Sequence, residues 1–270
     1  MKPPLVLSYT QMKVFTSSPA DWYMRYVLKE KTEKTAALEF GSKVHDQLEM
    51  SLKKETFEPS LDLKRICNEV MDKYEGILSL PHEIETDIII DFNEFKIRGI
   101  VDLKAYDKEN NKIHIVDHKT VSETFTYDKQ RKVFRRRFYG NTKPEQIKSD
   151  MQLNLYAFLA ILGSLKEIGK DLNTLKIELE HNQIIKVRKK DMVKELRLSG
   201  VKTETTLHEV FDSFCETFSI AKEISELYNQ IKGEDIRELI PIYNKPLTEL
   251  TQKWQYGAIN PFWDYYVGLE

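Results

Sequence analysis

Of the 270 residues, 41% are apolar and 31% charged, with only 10 Gly and 9 Pro, values that exclude a globally disordered or fibrous chain and allow a sizeable core. The 41 basic and 43 acidic side chains leave a net charge of −2, so any surface for nucleic acid has to be a local patch and not a whole-molecule field. Cys67 and Cys215 are too few for a disulfide scaffold or a four-cysteine metal site, and no window approaches the roughly 20 apolar residues of a membrane span, so a cytoplasmic chain with no membrane partner is expected.

Ser8-x-x-Gln11 has the form of a capping box and predicts a helix from near Ser8, with Pro19 opening a second. From Leu38, the residues Phe40, Val44, Leu48 and Leu52 recur every four and wind an apolar stripe along a helix that carries Gly41 and, at the edge of the stripe, His45. Another helix covers Leu61 to Ile77, and Pro81 marks a change of period. Strands follow at Ile88–Ile90, Phe95–Tyr106 and Ile113–Lys119, separated by turn-like residues, as an antiparallel meander. Residues 144–167 return to helical spacing, Leu175–Val187 is a fourth strand, and Val210–Ile231 and Leu247–Trp254 are helical before an aromatic tail, Pro261 to Tyr266. Helix, three strands, helix and strand make an α/β core with helices at both ends. A single domain over 1–270 is expected: helices over 1–80, a catalytic sheet and helix over 81–190, and helical closure over 191–270.

Along a strand alternate residues share a face, so Asp117 and Lys119 project together with Ile113 and Ile115, while His114, Val116 and His118 face the other way. If Tyr106 lies opposite Ile113, antiparallel register puts Asp102 across from Asp117. Two facing carboxylates destabilise the pair unless a cation sits between them. Oxygen ligands suit Mg²⁺, and a neighbouring ammonium suits charge building up on phosphorus. An isolated Asp-x-Lys is more often a surface ion pair.

The ordered set Gly41-x-x-x-His45, Gly99-Ile100-Val101-Asp102, Val116-Asp117-His118-Lys119-Thr120 and Gln152-Leu153-Asn154-Leu155-Tyr156 resembles the RecB-type branch of the PD-(D/E)XK nucleases, which includes the CRISPR adaptation nuclease. The motifs span residues 8–160. The resemblance implies a restriction-endonuclease-like α/β core, a central mixed sheet flanked by helices. It implies that His45, Asp102, Asp117 and the backbone carbonyl of His118 hold Mg²⁺ or Mn²⁺, that Lys119 acts on the attacking water and the phosphorane charge, and that Gln152 and Tyr156 line the cleft and hold the lysine. One imidazole among oxygens makes Mn²⁺ at least as suitable as Mg²⁺. Glu83 and Glu85 precede the first strand where relatives often carry an acid, and Glu85 is a candidate supporting group.

Residues 129–148 carry the strongest charge bias: Lys129, Arg131, Lys132, Arg135, Arg136, Arg137, Lys143 and Lys148 against Glu145. Phe134, Phe138 and Tyr139 interleave with them, the mixture that grips single-stranded nucleic acid by phosphate neutralisation and base stacking. Lying between the Asp-x-Lys strand and the Gln-Tyr helix, the segment is expected to be a DNA-gripping loop. Many relatives join their ends with an iron–sulfur cluster. Here Ser18-Pro19 and Gly257 to Pro261 stand at the corresponding places, so no cluster is expected, with aromatic packing of Trp22, Tyr23, Phe262, Trp263 and Tyr266 in its stead. No Walker A loop is present, so no ATP is expected.

These features point to a metal-dependent DNA exonuclease that attacks phosphodiester bonds in line with water, and the resemblance implies a 5′-phosphate product. Single-stranded DNA or duplex ends are the expected substrate, in phage recombination or bacterial repair, with a helicase or strand-annealing protein as partner. The alternatives are an endonuclease for flaps or branches, and a silent nuclease fold that only binds DNA.

Overall fold

The computed structural model describes residues 5–30, 35–55, 60–128, 133–168, 172–189 and 192–230. They fall into two compact units, one drawn from Met1–Lys34, Ile90–Arg98 and Glu216–Glu270, the other from Thr35–Ile89 and Gly99–Cys215.

In the first unit the first described element is a strand, β1 (Leu5–Ser8), parallel to the first four residues of β3 (Phe95–Asp107). Sequence reading placed only a helix here, because a four-residue apolar run has no periodicity of its own. The helix follows directly: Ser8 Oγ accepts from the Gln11 amide at 3.4 Å and caps α1 (Tyr9–Ser17). Pro19 opens α2 (Pro19–Trp22), which runs on into a π-helical turn, Tyr23–Val27. Phe15 meets the Trp22 ring edge-on at 5.6 Å, and Phe92 and Phe95 pack on Phe218 at 5.1 and 5.3 Å.

The second unit is built on a mixed sheet in the order β3-β4-β6-β7, with β2 (His82–Asp91) on β3 and β5 (Val133–Phe138) on β4. β4 (Lys112–Asp128) is antiparallel to β3 and β5 but parallel to β6 (Lys176–Lys189) over Lys112–Phe125; β6 and β7 (Met192–Thr205) are antiparallel. The helices α3 (Ala36–Leu52) and α4 (Leu61–Leu78) bury Val44, Leu48, Leu52, Ile66 and Val70 against Leu103, Val116, Ile184 and Leu196, the predicted stripe of α3 among them. α6 (Met151–Gly163) lies against β4 and β6. Its buried residues Leu153, Leu155, Ala157, Leu159 and Ile161 go round the helix, as expected of a helix covered on more than one side.

Three expectations change. The helix over 144–167 is broken into α5 (Pro144–Lys148), α6 and α7 (Leu165–Ile168), because Asp150 caps α6 by accepting from Leu153 N–H at 3.0 Å. The basic segment is not a loop throughout: Val133–Phe138 forms β5, where Val133, Phe134 and Phe138 supply β-branched and aromatic strand formers on either side of three consecutive arginines. Residues 191–270 are not all helical, since β7 precedes α8 (Leu207–Gln230); the expected helix Leu247–Trp254 and the tail Pro261–Tyr266 lie outside the described residues. Among the described residues no helix is long and apolar enough to cross a membrane.

Candidate active site

The β3–β4 register pairs Tyr106 with Ile113 and Leu103 with Val116. Continued by one residue, that register sets Asp102 across from Asp117, the pairing expected from the sequence if Tyr106 lies opposite Ile113. Both carboxylates are buried, at 6% and 3% exposure. Asp102 Oδ2 accepts from the His118 amide at 2.5 Å and lies 3.7 Å from His45 Nδ1. The ligand atoms of His45, Glu85 and Asp102 all fall within 4.8 Å of one another. The His118 carbonyl hydrogen-bonds the His45 ring and so borders the same group.

Beside it stands a second arrangement. Lys119 Nζ lies 2.8 Å from Asp117 Oδ2 and donates to Gln152 Oε1 at 2.8 Å. Gln152 Nε2 donates in turn to the Tyr156 hydroxyl at 2.7 Å. The tyrosine thereby fixes which end of the amide faces the lysine. Residues four apart on α6 stack on one side, which lets a single helix supply both groups.

Two glycines make this approach possible. A Cβ on Gly99 would stand 2.8 Å from Leu159 Cδ1 and 3.0 Å from Tyr156 Cδ1, and one on Gly41 would stand 3.2 Å from Thr120 Oγ1, next to Lys119. Gly99→Ala is therefore expected to push α6 away from β3. Overpacking of this kind costs about 1–3 kcal/mol, read as a lower urea midpoint, and the displaced Tyr156 should reduce activity more than the midpoint alone explains.

Burial shapes the electrostatics. It holds the Asp102 carboxyl well above the usual carboxylate range, with the Asp117 charge adding to the effect. Burial, then the Glu49 charge, pushes Glu85 up to about 6. The His45 and His181 rings are lowered by burial, His118 falls to about 3 for the same reason, and the Tyr156 hydroxyl is raised and stays protonated. Glu85 also carries a φ of 51°, a left-handed conformation that costs a non-glycine residue about 1–3 kcal/mol and concentrates at functional positions. A divalent cation fits this donor set: it would offset the burial and like-charge crowding that raise the Asp102 and Glu85 carboxyls.

A pH dependence follows. A carboxyl whose folded pKa lies above its unfolded value costs stability above the folded pKa and ceases to do so below the unfolded one. For Glu85 that window runs from about 6 down to 4.5. The metal-free protein should gain stability from this group as pH falls through the window, the Glu85→Gln variant should lose that gain, and saturating Mn²⁺ should abolish it in the wild type. Thermal melts between pH 7 and 4.5 read all three.

The model of one protein family, the PD-(D/E)XK nuclease superfamily, matches residues 6–78 and 58–239. The chain belongs to this superfamily. A search of the curated proteins found no match. Among solved structures the chain is similar to SSO0001, at 13% identity and a TM-score of 0.35 over 86% of this chain and 81% of that one. It is also similar to a "putative exonuclease" from Eubacterium rectale, at 11% identity and a TM-score of 0.45 over 83% and 81%.

Members of this superfamily are nucleases that act on DNA with Mg²⁺ or Mn²⁺, and with only two cysteines in the chain, one buried and one exposed, no set of thiolates for an iron–sulfur cluster exists. Of the residues singled out in the sequence, His45, Asp102, Asp117, His118, Lys119, Gln152 and Tyr156 come together. Glu85, named there only as a supporting group, stands with His45 and Asp102. The His118 ring stands edge-on to that of His45, centroids 6.3 Å apart, and is tied on its other side: Nδ1 lies 2.9 Å from Asn182 Nδ2, and Lys73 holds Asn182 Oδ1 at 2.8 Å. His114 instead pairs with Glu178 at 3.0 Å.

The basic residues are less alike than their run in sequence. Arg136 and Arg137 are both exposed, but Arg136 pairs with Glu123, a wholly buried carboxylate that also pairs with Arg197, so part of its charge is already matched. Lys129, Arg131 and Lys132 lie outside the described residues, as does the side chain of Arg135. His181, beside Asp117, was missed. It is one of four consecutive polar residues, Glu180–Gln183, between Leu179 and Ile184, and nothing in the sequence singles it out.

Proposed function

We propose that the chain is a metal-dependent DNA exonuclease of the RecB-type branch, a single nuclease domain over 1–270 that hydrolyses phosphodiester bonds from DNA ends. The observation that carries the reading is the ammonium of Lys119, held between Asp117 and Gln152 beside the His45–Glu85–Asp102 group. His45, Glu85, Asp102, Asp117 and the His118 carbonyl would hold Mg²⁺ or Mn²⁺. When bound, such an ion polarises a phosphoryl oxygen and lowers the pKa of water.

The chain's own residues supply the rest. Lys119 brings a fixed positive charge to the phosphate as negative charge grows on its oxygens, and it does so without reorganising, because both of its partners are already in place. Gln152 and Tyr156 keep that ammonium from swinging back to solvent. Exposed Arg137, with Lys129, Arg131, Lys132 and Arg135, supports phosphate contacts along a bound strand, and such contacts make binding weaken steeply with salt. Single-stranded DNA or resected ends in recombination or repair suit a chain with basic and aromatic residues interleaved. A helicase or strand-annealing protein on another chain is the partner this setting implies, in the cytoplasm.

The test is cleavage of end-labelled linear single-stranded and duplex DNA beside a closed circle, with Mn²⁺, Mg²⁺ or chelator. Metal-dependent loss of linear DNA with circles intact is the expected result. Cut circles would move the reading to an endonuclease, and binding without cleavage under either metal would leave only a DNA-binding scaffold.

A further inference from the structure

His181 sits on β6 directly across the parallel ladder from Asp117. At 4% exposure its ring is too deep to meet a strand of DNA. Yet Nε2 lies 3.6 Å from Asp117 Oδ2 and 3.7 Å from Asp150 Oδ2, and it has no hydrogen-bond partner. A buried, unpartnered ring nitrogen between two carboxylates calls for an explanation, since such groups are otherwise satisfied.

The opposite ring nitrogen supplies the first part of it. The Asn141 amide nitrogen is 2.8 Å from His181 Nδ1. An amide nitrogen only donates, so Nδ1 accepts, and the proton of the neutral imidazole is on Nε2. Asn141 is itself tied to the same strand, its backbone carbonyl accepting from Gln183 Nε2 at 2.8 Å. The Nε2–H is thus aimed between Asp117 and Asp150. At 3.6–3.7 Å neither contact is a closed hydrogen bond; the N–H acts on the two carboxylates as a dipole between them.

Those acceptors belong to the two halves of the site. Asp117 is on the Asp-x-Lys strand. Asp150 caps α6 through its other oxygen, and α6 carries Gln152 and Tyr156. We infer that His181 is a positioning residue: its Nε2–H aligns the Asp117 carboxylate with the cap of α6, and so sets the metal-binding oxygen and the lysine clamp in one frame. The inference rests on the nuclease reading for the roles of Asp117 and Lys119.

Mn²⁺ affinity, measured by calorimetry without DNA, tests it apart from activity. Losing a group that orients a ligand weakens metal binding by about 10–100-fold, so His181→Ala should bind Mn²⁺ at least about tenfold more weakly and lower kcat with little change in KM for DNA. His181→Gln, whose amide N–H reaches toward the same place, should restore most of both. Mn²⁺ binding by His181→Ala as tight as wild type would overturn the inference, and so would a His181→Gln variant no better than His181→Ala. Should His181→Ala fail to fold, nitrogen NMR of the wild-type imidazole decides: a proton on Nε2 is expected, and one on Nδ1 overturns the assignment. If wild type binds Mn²⁺ in the expected order of variants but cuts no DNA, the nuclease reading fails and the positioning role stands.

Discussion

Asp102→Asn should abolish cleavage while leaving the metal-free protein at least as stable as wild type. The asparagine keeps an oxygen for the His118 amide, which donates to Asp102 Oδ2 at 2.5 Å, so that donor is not orphaned. What disappears is a carboxylate that burial and the Asp117 charge make costly to ionise. A metal-polarised phosphoryl oxygen is worth several kcal/mol, and each 1.36 kcal/mol is tenfold in rate, so a loss of at least about 10³-fold is expected. Thermal melts separate this from damage to the fold. Mn²⁺ at about 100 times its Kd should stabilise wild type by about 2.7 kcal/mol and the variant hardly at all. An Asp102→Asn protein that is still raised by Mn²⁺ to the wild-type extent would remove Asp102 from the metal set.

Lys119→Met should show the complementary pattern, with a rate loss of about 10²–10³-fold and an intact Mn²⁺ response. The ammonium contributes charge to the transition state and not a ligand to the ion, and the unbranched methionine keeps most of its volume. Removing it also frees Asp117 Oδ2 from an ion pair at 2.8 Å, so Mn²⁺ should bind the variant no more weakly than wild type. A loss of Mn²⁺ affinity equal to that of Asp102→Asn would mean that Lys119 supports the site and does not act on the phosphate.

The part of the site that depends on strand alternation was legible in the sequence. The faces of Asp117 and Lys119 follow from a period of two, and the pairing of Asp102 with Asp117 followed once the turn after Tyr106 was fixed. Gln152 and Tyr156 followed from the helical period. Glu85 was harder: the β2 strand begins at His82, earlier than the apolar run Ile88–Ile90 indicates, and a backbone at φ 51° has no signature in a glutamate. His181 and Asp150 escaped because their meaning is tertiary. One sits unmarked in the polar run Glu180–Gln183 of β6, and the other is a helix cap inside what reads as a continuous helix. β7 was lost to its charge, although Leu196 and Leu198 alternate with Arg197 and Ser199 as in a strand with one face covered.

β4 and β6 pair in parallel, and Lys112 meets Lys176 at the start of a ladder that runs fourteen residues to Phe125 and Lys189. Pairings so distant along the chain form slowly, since the intervening loop must close before any contact repays it. During synthesis β3 and β4 emerge well before β6, so Asp102 and Asp117 can meet in a hairpin while the neighbouring edge of β4 is still bare. Such an edge is a template for association with other chains. A chain truncated before residue 176 would therefore carry the acidic pair and the lysine, lack the strand that seats them, and be expected to aggregate before it could cut.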